Sequence, residues 1–173
     1  MAPPQRAATC GAVPDMERIV KQYGDSLLRI CFLYLKDIHL AQDAVQDTFL
    51  KVYRNYDKFD TNSSEKTWIM RIAINVCKDY LRSAWHRRVN VQDVLAEIPT
   101  SSETHEDDTL LLEIMRLKPH YREVILLFYY QDMKISDIAK VIGAPESTVS
   151  VRLKRAREQL KKRLEDWYND DEP

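Results

Sequence analysis

The amino-acid sequence predicts an all-α protein made of two small helical domains joined by a flexible linker. Apolar residues recur at helical spacing through most of residues 16–164, and the 173-residue chain contains only three glycines. A polar, acidic segment at residues 89–108, with one proline and a Thr-Ser-Ser run, separates two helical blocks. No alternating apolar segment is long enough to predict a strand.

The first block, residues 16–88, contains three predicted amphipathic helices that can bury one core. Asp15 is the expected N-cap of the first helix, which runs to about Lys36. The second is predicted over 40–56 and the third over 65–82 or slightly beyond, with a turn-rich loop between them. The expected core positions are Ile19, Val20, Tyr23, Leu27, Ile30, Tyr34, Ala41, Ala44, Val45, Thr48, Phe49, Val52, Tyr53, Trp68, Ile69, Ile72, Ala73, Val76 and Tyr80.

The second block, residues 109–165, ends in a predicted helix-turn-helix. Helical signals resume at 109–117, and Pro119 suits the first turn of the next helix. Two helices follow at 136–142 and 147–164, separated by Gly143, which is expected to adopt the left-handed conformation that ends a helix. Their inward residues are Ile135, Ile138, Ala139, Ile142, Val149, Leu153, Ala156, Leu160 and Leu164. Outside the blocks, residues 1–15 are expected to be a disordered leader and 166–173 an acidic tail.

The near-neutral overall charge hides a segregated one. The two helical blocks carry net charges of +4 and +5, whereas the linker carries −6 and the tail −4. Two basic modules on either side of an acidic strip favour a polyanionic ligand, with the strip as a linker that does not meet it. Alternatively, the acidic segment at residues 89–108 only improves solubility.

Several function classes are disfavoured by composition. The longest apolar run, 124–130, is far shorter than the ~20 residues of a membrane span, and the N-terminus shows no secretory-signal pattern. The three cysteines form no CxxC pair, and the four histidines show no paired ligand spacing, so no metal, cofactor or catalytic residue is predicted. We therefore expect a cytoplasmic protein that is not an enzyme, has no small-molecule substrate and does not insert into a membrane.

The last helix presents a polar and basic face opposite its apolar stripe. Short polar side chains at its start can approach base edges in a major groove, and basic ones behind them can reach bases and phosphates. A solvated basic face on an ordinary helical hairpin is the alternative. The candidate DNA-binding residues on this helix are Ser147, Ser150, Val151, Arg152, Lys154, Arg155 and Arg157.

Two further faces lie in the first block. On the third helix, a polar and basic stripe at spacings i, i+4, i+7 and i+11 suits contact with phosphates, and it consists of Arg71, Asn75, Lys78 and Arg82. On the second helix, an exposed leucine among acidic and polar residues is a candidate docking surface for a partner protein. The residues on that outward face are His39, Asp43, Gln46, Asp47, Leu50 and Arg54. Each face could also be plain solvated surface.

Three segments follow one another along the chain and read LAQDAVQDTFLKVYRNYDKF, TWIMRIAINVCKDYLR and YREVILLFYYQDMKISDIAKVIGAPESTVSVRLKRAREQLKK. Their order and spacing resemble those of the sigma-70 family of RNA polymerase sigma factors. More narrowly, the chain is similar to the extracytoplasmic-function group, which keeps only the region-two and region-four domains. The resemblance covers residues 16–165, and the 89–108 segment is too short for a folded region three.

The resemblance implies an alternative sigma factor whose partners are core RNA polymerase, promoter DNA and an anti-sigma factor. Residues 16–88 would form the region-two domain, and residues 109–165 would form the region-four domain. On the second helix, the residues implied to contact the β′ coiled coil are Asp43, Gln46, Asp47 and Leu50. The helix 147–164 would enter the major groove of the minus-thirty-five element, and the β flap of the polymerase is a further expected contact. The third helix and the loop before it would recognise and open the minus-ten element. In that loop, the residues expected to line a pocket for a flipped-out base are Asp60, Thr61 and Asn62.

Two other classes remain open on sequence alone. A stand-alone helix-turn-helix regulator would explain residues 109–165 but would leave the pattern at 40–82 without a purpose. A recombinase would need a serine, tyrosine or carboxylate active site in the first block, where no convincing set occurs. Run-off transcription with and without core polymerase separates these classes from a sigma factor.

Overall fold

The computed structural model describes residues 14–59, 62–85 and 105–170, and the regular elements in these ranges are helical. They are α1 (Met16–Leu35), α2 (Ile38–Asn55), a 3₁₀ turn (Tyr56–Lys58), α3 (Glu65–Trp85), α4 (His105–Arg116), α5 (Pro119–Ile125) with a π-helical turn (Leu126–Tyr130), α6 (Ile135–Ile142) and α7 (Glu146–Asp170). The helices pack as two compact units, α1–α3 and α4–α7. The predicted all-α, two-domain class is confirmed. Among the described helices, none combines the length and hydropathy that crossing a bilayer requires.

The first unit is organised by two local caps and a shared apolar core. Asp15 caps α1, accepting a hydrogen bond from the backbone N–H of Arg18 at 3.0 Å, as the sequence predicts. The chain then turns at Lys36, which has a φ of 59°, and Asp37 caps α2 by accepting from the N–H of Leu40 at 2.9 Å. Each helix contributes fully buried side chains, among them Ile30, Ala44 and Ile74.

For two residues of this unit, the prediction that they lie in the core is wrong. Val20 is 45% exposed and Tyr53 is 56% exposed. Each directly follows a fully buried residue, Ile19 or Val52, and adjacent positions on a helix point about 100° apart. The buried stripes of α1 and α2 are therefore narrower than the apolar residues in the sequence indicate.

The second unit contains the predicted helix-turn-helix. Pro119 lies in the first turn of α5, and Gly143 ends α6 with a φ of 67°, its N–H bonded to the carbonyl of Ala139. The apolar stripe of α7, including Val149 and Leu153, is buried as predicted. Farther along α7, Arg163 donates at 3.3 Å to the buried carboxylate of Glu113 on α4. Core packing and this ion pair fix α7 within the unit.

Two helix boundaries differ from the predicted ones by four residues or more, and the others agree more closely. The helix expected to start at 109 begins at His105, because three acidic residues in a first turn favour helix formation at its positive end. The last helix continues past residue 164 to Asp170, since no proline or glycine interrupts that stretch. The rest of the predicted linker (89–104), most of the leader (1–13) and residues 171–173 lie outside the described residues.

Candidate nucleic-acid interface

The first half of α7 presents the predicted polar and basic face to solvent. Burial of Val149, Leu153 and Ala156 on one side of the helix leaves the other side outward. Val151 is 48% exposed, Arg152 is half-buried, and the other predicted residues are exposed: Ser147, Ser150, Lys154, Arg155 and Arg157. The Ser150 hydroxyl donates to the carbonyl of Glu146 at 2.9 Å, which leaves its oxygen as an acceptor toward solvent.

Two residues that sequence reasoning missed adjoin this face. His120 and Tyr121, in the first turn of α5, line an open groove of about 550 Å³ together with five α7 residues: Ser147, Thr148, Val151, Arg152 and Arg155. The two α5 rings lie 4.1 Å apart, centroid to centroid. No local motif marks these residues, because only tertiary packing brings the start of α5 beside α7. The candidate surface is therefore wider than one helix.

Arg157 is oriented differently from the other basic residues of the face. Its guanidinium carbon lies 5.3 Å from the ring centroid of Phe128 and 5.6 Å from that of Tyr129, both in the π-helical turn. Such cation–π stacking is worth ~0.5–1 kcal/mol at an exposed site. Arg157 is exposed while stacked in this way, and stacking occupies the face of the guanidinium and not the N–H groups at its edge.

The stripe on α3 is partly interrupted. Arg71 and Asn75 are exposed and Lys78 is half-buried. The guanidinium of Arg82 lies 3.5 Å from the carboxylate of Asp79, which is also 3.8 Å from the ammonium of Lys51 on α2. Of the loop residues expected to line the base pocket, Asn62 is exposed, whereas Asp60 and Thr61 lie outside the described residues.

A carboxylate at the start of α3 joins three elements, and sequence reasoning missed it. Glu65 accepts two hydrogen bonds from the Arg18 guanidinium at 2.7 and 2.9 Å, one from the Tyr56 hydroxyl at 2.6 Å and one from the Tyr23 hydroxyl at 3.1 Å. We call Glu65 and these three donors the Glu65 cluster. Its members are up to 47 positions apart in sequence, so no local spacing reveals it.

Aromatic rings extend the Glu65 cluster toward the loop. The centroid of Trp68 lies 5.9 Å from that of Tyr56, in an edge-on arrangement, and 5.2 Å from that of Phe59. Tyr56 and Phe59 precede the loop, and Trp68 follows it. The aromatic rings therefore hold the two sides of the loop together.

The pKa values in the Glu65 cluster shift in directions that preserve its hydrogen bonds. Burial alone raises the pKa of Glu65, but the hydrogen bonds from Arg18, Tyr56 and Tyr23 outweigh it, and the net pKa is lowered. Burial, together with the Glu65 charge, raises the pKa of Tyr23 and of Tyr56 to about 12. Glu65 is therefore an ionised acceptor, and both tyrosines are protonated donors, at neutral pH.

We expect the α1–α3 unit to lose stability at alkaline pH. Burial and the Asp47 carboxylate also raise the pKa of Tyr80 to about 12, so this unit holds three tyrosines whose unfolded pKa is near 10.0. Their contribution is complete below pH 10 and is lost as pH rises toward 12, because the unfolded chain ionises first. Thermal unfolding across this range, followed alongside tyrosinate absorbance, measures the loss. Ionisation of these three tyrosines near pH 10 in the folded chain would contradict it.

The face on α2 is exposed, with one exception. Asp43 and Gln46 are exposed and Leu50 is 51% exposed, and the exposed Tyr53 adds a second large apolar side chain nearby. Asp47 is half-buried and accepts a hydrogen bond from the Tyr80 hydroxyl at 2.8 Å. Asp47 therefore joins α2 to α3 as well as bordering the face.

The described residues contain no group of three or more His, Cys, Asp or Glu side chains placed to hold a metal ion. Cys31 and Cys77 are reduced and buried. A hydrogen bond with Cys31, together with burial, raises the pKa of the Cys77 thiol. Both positions are those of core side chains, as the helical pattern indicates.

Comparison with known proteins identifies the family of each unit. Residues 19–87 match the family described as sigma-70 region 2, and residues 107–160 match sigma-70 region 4. Two solved structures share the fold, each at 23% identity. They are the sigma factor RpoE with the anti-sigma factor NepR from Bartonella quintana (TM-score 0.73, 87% of this chain and 97% of that one) and CnrH with the cytosolic domain of CnrY (TM-score 0.68, 90% and 91%).

Similar curated proteins cover most of the chain. The ECF RNA polymerase sigma factor SigW of Bacillus subtilis is 30% identical across 86% of this chain and 88% of its own length. The RNA polymerase sigma-H factor of Pseudomonas aeruginosa is 31% identical across 85% and 84%. With both regions present in order and relatives that match over nearly their full length, this chain belongs to the sigma-70 family, in its extracytoplasmic-function group.

Proposed function

We propose that the chain binds core RNA polymerase as an alternative sigma factor and directs initiation at promoters with a minus-ten and a minus-thirty-five element. The observation that carries the proposal is the presence of region 2 and region 4 in one chain. Each is a compact helical unit with an exposed charged face. Polymerisation chemistry belongs to the core enzyme, and the chain contributes binding and positioning.

In the second unit, proposed to span residues 109–165, α7 enters the major groove of the minus-thirty-five element. Ser147, Ser150 and Val151 lie at its start, where short side chains allow close approach to base edges. Lys154 and Arg155 stand one turn farther on, within reach of bases and phosphates. His120 and Tyr121 border the same groove from α5, and we assign them to the flanking DNA backbone.

In the first unit, proposed to span residues 16–88, α3 and the loop before it bind the minus-ten element. The exposed Arg71 and Asn75 suit the DNA backbone of an opened strand. Arg82 adds a further charge once DNA competes with Asp79 for it. The loop carries the exposed Asn62, whose amide can donate and accept hydrogen bonds at the edge of an unpaired base.

Protein partners use other faces. We assign the α2 face of Asp43, Gln46 and Leu50 to the β′ coiled coil of core polymerase, with Asp47 at its border. Leu50 and Tyr53 give this side of α2 exposed apolar area beside polar residues, the arrangement of a docking surface with a polar rim. Further proposed partners are the β flap, for the second unit, and an anti-sigma factor. An anti-sigma factor accompanies the RpoE of similar fold. From these proposed partners we infer that the chain acts in the cytoplasm.

Selection and run-off transcription test the function together. Reconstituted holoenzyme is used to recover promoters from a random duplex pool, and the recovered sequences then serve as templates with and without the chain. We expect recovered promoters with two separated sequence elements and transcripts only when both chain and core are present. Specific binding of the chain to these duplexes without any core-dependent transcript would favour a stand-alone regulator and overturn the proposal.

A further inference from the structure

We infer that Glu65 is a positioning residue for minus-ten recognition, because it links the residues on both sides of the loop that carries Asn62, and the start of α3, to α1. The inference rests on the proposed function and deepens it. Glu65 itself is mostly buried, with only 16% of its side chain exposed, so it acts through its neighbours and not by touching DNA.

The geometry of the Glu65 cluster supports this role. Glu65 begins α3 three residues after Asn62, and its carboxylate is held from two directions. Tyr56 donates from the 3₁₀ turn before the loop, whereas Arg18 and Tyr23 donate from α1. The Glu65 carboxylate therefore links both ends of the loop segment to α1.

A second set of contacts fixes the end of the loop at which α3 begins. The Ser64 hydroxyl accepts a hydrogen bond from the backbone N–H of Thr67 at 3.1 Å and lies 2.8 Å from the hydroxyl of that buried residue. The start of α3 is thus capped directly after the loop. With Trp68 packed on Tyr56 and Phe59, both sides of the loop are anchored before DNA arrives.

Such anchoring matters for binding because an unpaired base must be captured by residues already in place. Ordering residues on binding costs free energy, which the anchored residues on either side of the loop do not lose again. Removing charge-assisted hydrogen bonds at Glu65 should therefore weaken strand capture without altering faces elsewhere on the chain.

The test compares substitutions that are matched in pairs. Glu65→Gln removes the negative charge but keeps the size of the side chain, and Asp25→Asn makes the same charge change on the exposed side of α1. Tyr56→Phe and Tyr23→Phe each remove one hydroxyl from the same carboxylate, but only Tyr56 adjoins the loop. Tyr56→Phe keeps the ring in the aromatic packing, so it provides a mild second variant.

Three quantities are measured for each full-length variant in reconstituted holoenzyme. They are the affinity for core polymerase, the affinity for the upstream duplex, and the affinity for a single-stranded non-template oligonucleotide carrying the minus-ten element of a promoter recovered by the wild type. We expect about a tenfold loss for the single strand alone with Glu65→Gln. Tyr56→Phe should show a smaller loss of the same kind, and Tyr23→Phe a loss no larger than that of Tyr56→Phe, whereas Asp25→Asn should match the wild type.

Two results would overturn the inference while leaving the proposed function intact. One is single-strand capture by Glu65→Gln and Tyr56→Phe equal to that of the wild type. The other is a parallel fall in all three affinities together with a lower unfolding temperature, which indicates that the Glu65 cluster only stabilises the fold. A wild-type holoenzyme that recovers no promoter would instead contradict the proposed function, and the inference with it.

Discussion

Leu50→Asp should weaken binding of the chain to core RNA polymerase by about 2–4 kcal/mol, the range of a central interface anchor. Leu50 is 51% exposed on α2, so the substitution leaves the core of the unit intact. A buried interface would have to accept a new charge without a partner, in addition to losing apolar contact. Competition against labelled wild-type chain for core enzyme measures the loss, and circular dichroism checks that the helices are retained.

Val20→Asp is the matched control for this substitution. Val20 is similarly exposed, at 45%, and belongs to the same unit, but it lies on α1. It should compete for core as well as the wild type does. Asp47→Arg is a less specific variant, because it also removes the acceptor for Tyr80. Equal competition by Leu50→Asp and the wild type would show that the α2 face is only solvated surface.

Combined Lys154→Ala and Arg155→Ala should weaken binding to the upstream element by ~2–5 kcal/mol. Each side chain that reads a base is worth about 1–3 kcal/mol, and one that touches only phosphate contributes less. Both residues are exposed on α7 and lie outside its buried stripe, so the unfolding temperature should stay close to that of the wild type. Holoenzyme binding to a recovered promoter, across a salt series, measures the loss and its salt dependence.

Lys161→Ala provides the control on the same helix. Lys161 is exposed, lies 3.6 Å from the carboxylate of Glu165, and stands ~10 Å farther along α7 than Lys154. Its loss changes the net charge of the unit by one but should leave promoter preference unchanged. If the double variant used promoters as the wild type does, the first half of α7 would not be the recognition surface.

Local chemistry explains why much of the architecture is predictable from sequence. Asp15 caps a helix because its side chain reaches an N–H three residues away, and Gly143 ends one because it adopts positive φ readily. The stripe of Val149, Leu153 and Ala156 follows from helical periodicity alone. These features depend on residues within a few positions of one another, so the spacing of residues along the sequence determines their distance in space.

Features that depend on distant residues could not be predicted in this way. The Glu65 cluster joins residues 9, 42 and 47 positions apart, and Arg157 stacks on rings from another element. His120 and Tyr121 join the α7 surface only through packing of α5. Val20 and Tyr53 were predicted to lie in the core but are exposed. Apolar character alone does not determine whether a helical residue lies inside or outside the buried stripe.

The division of α7 into two parts bears on how promoter preference can diverge during evolution. Its first half presents Ser147, Ser150 and Val151 outward, whereas Leu160 and the ion pair of Arg163 with Glu113 secure its second half. Where α7 reads the minus-thirty-five element as proposed, substitutions at the three outward positions would change which bases are accepted and leave those anchoring contacts intact. Duplicated copies of such a gene can therefore acquire separate regulons by a few substitutions, without first losing a foldable protein.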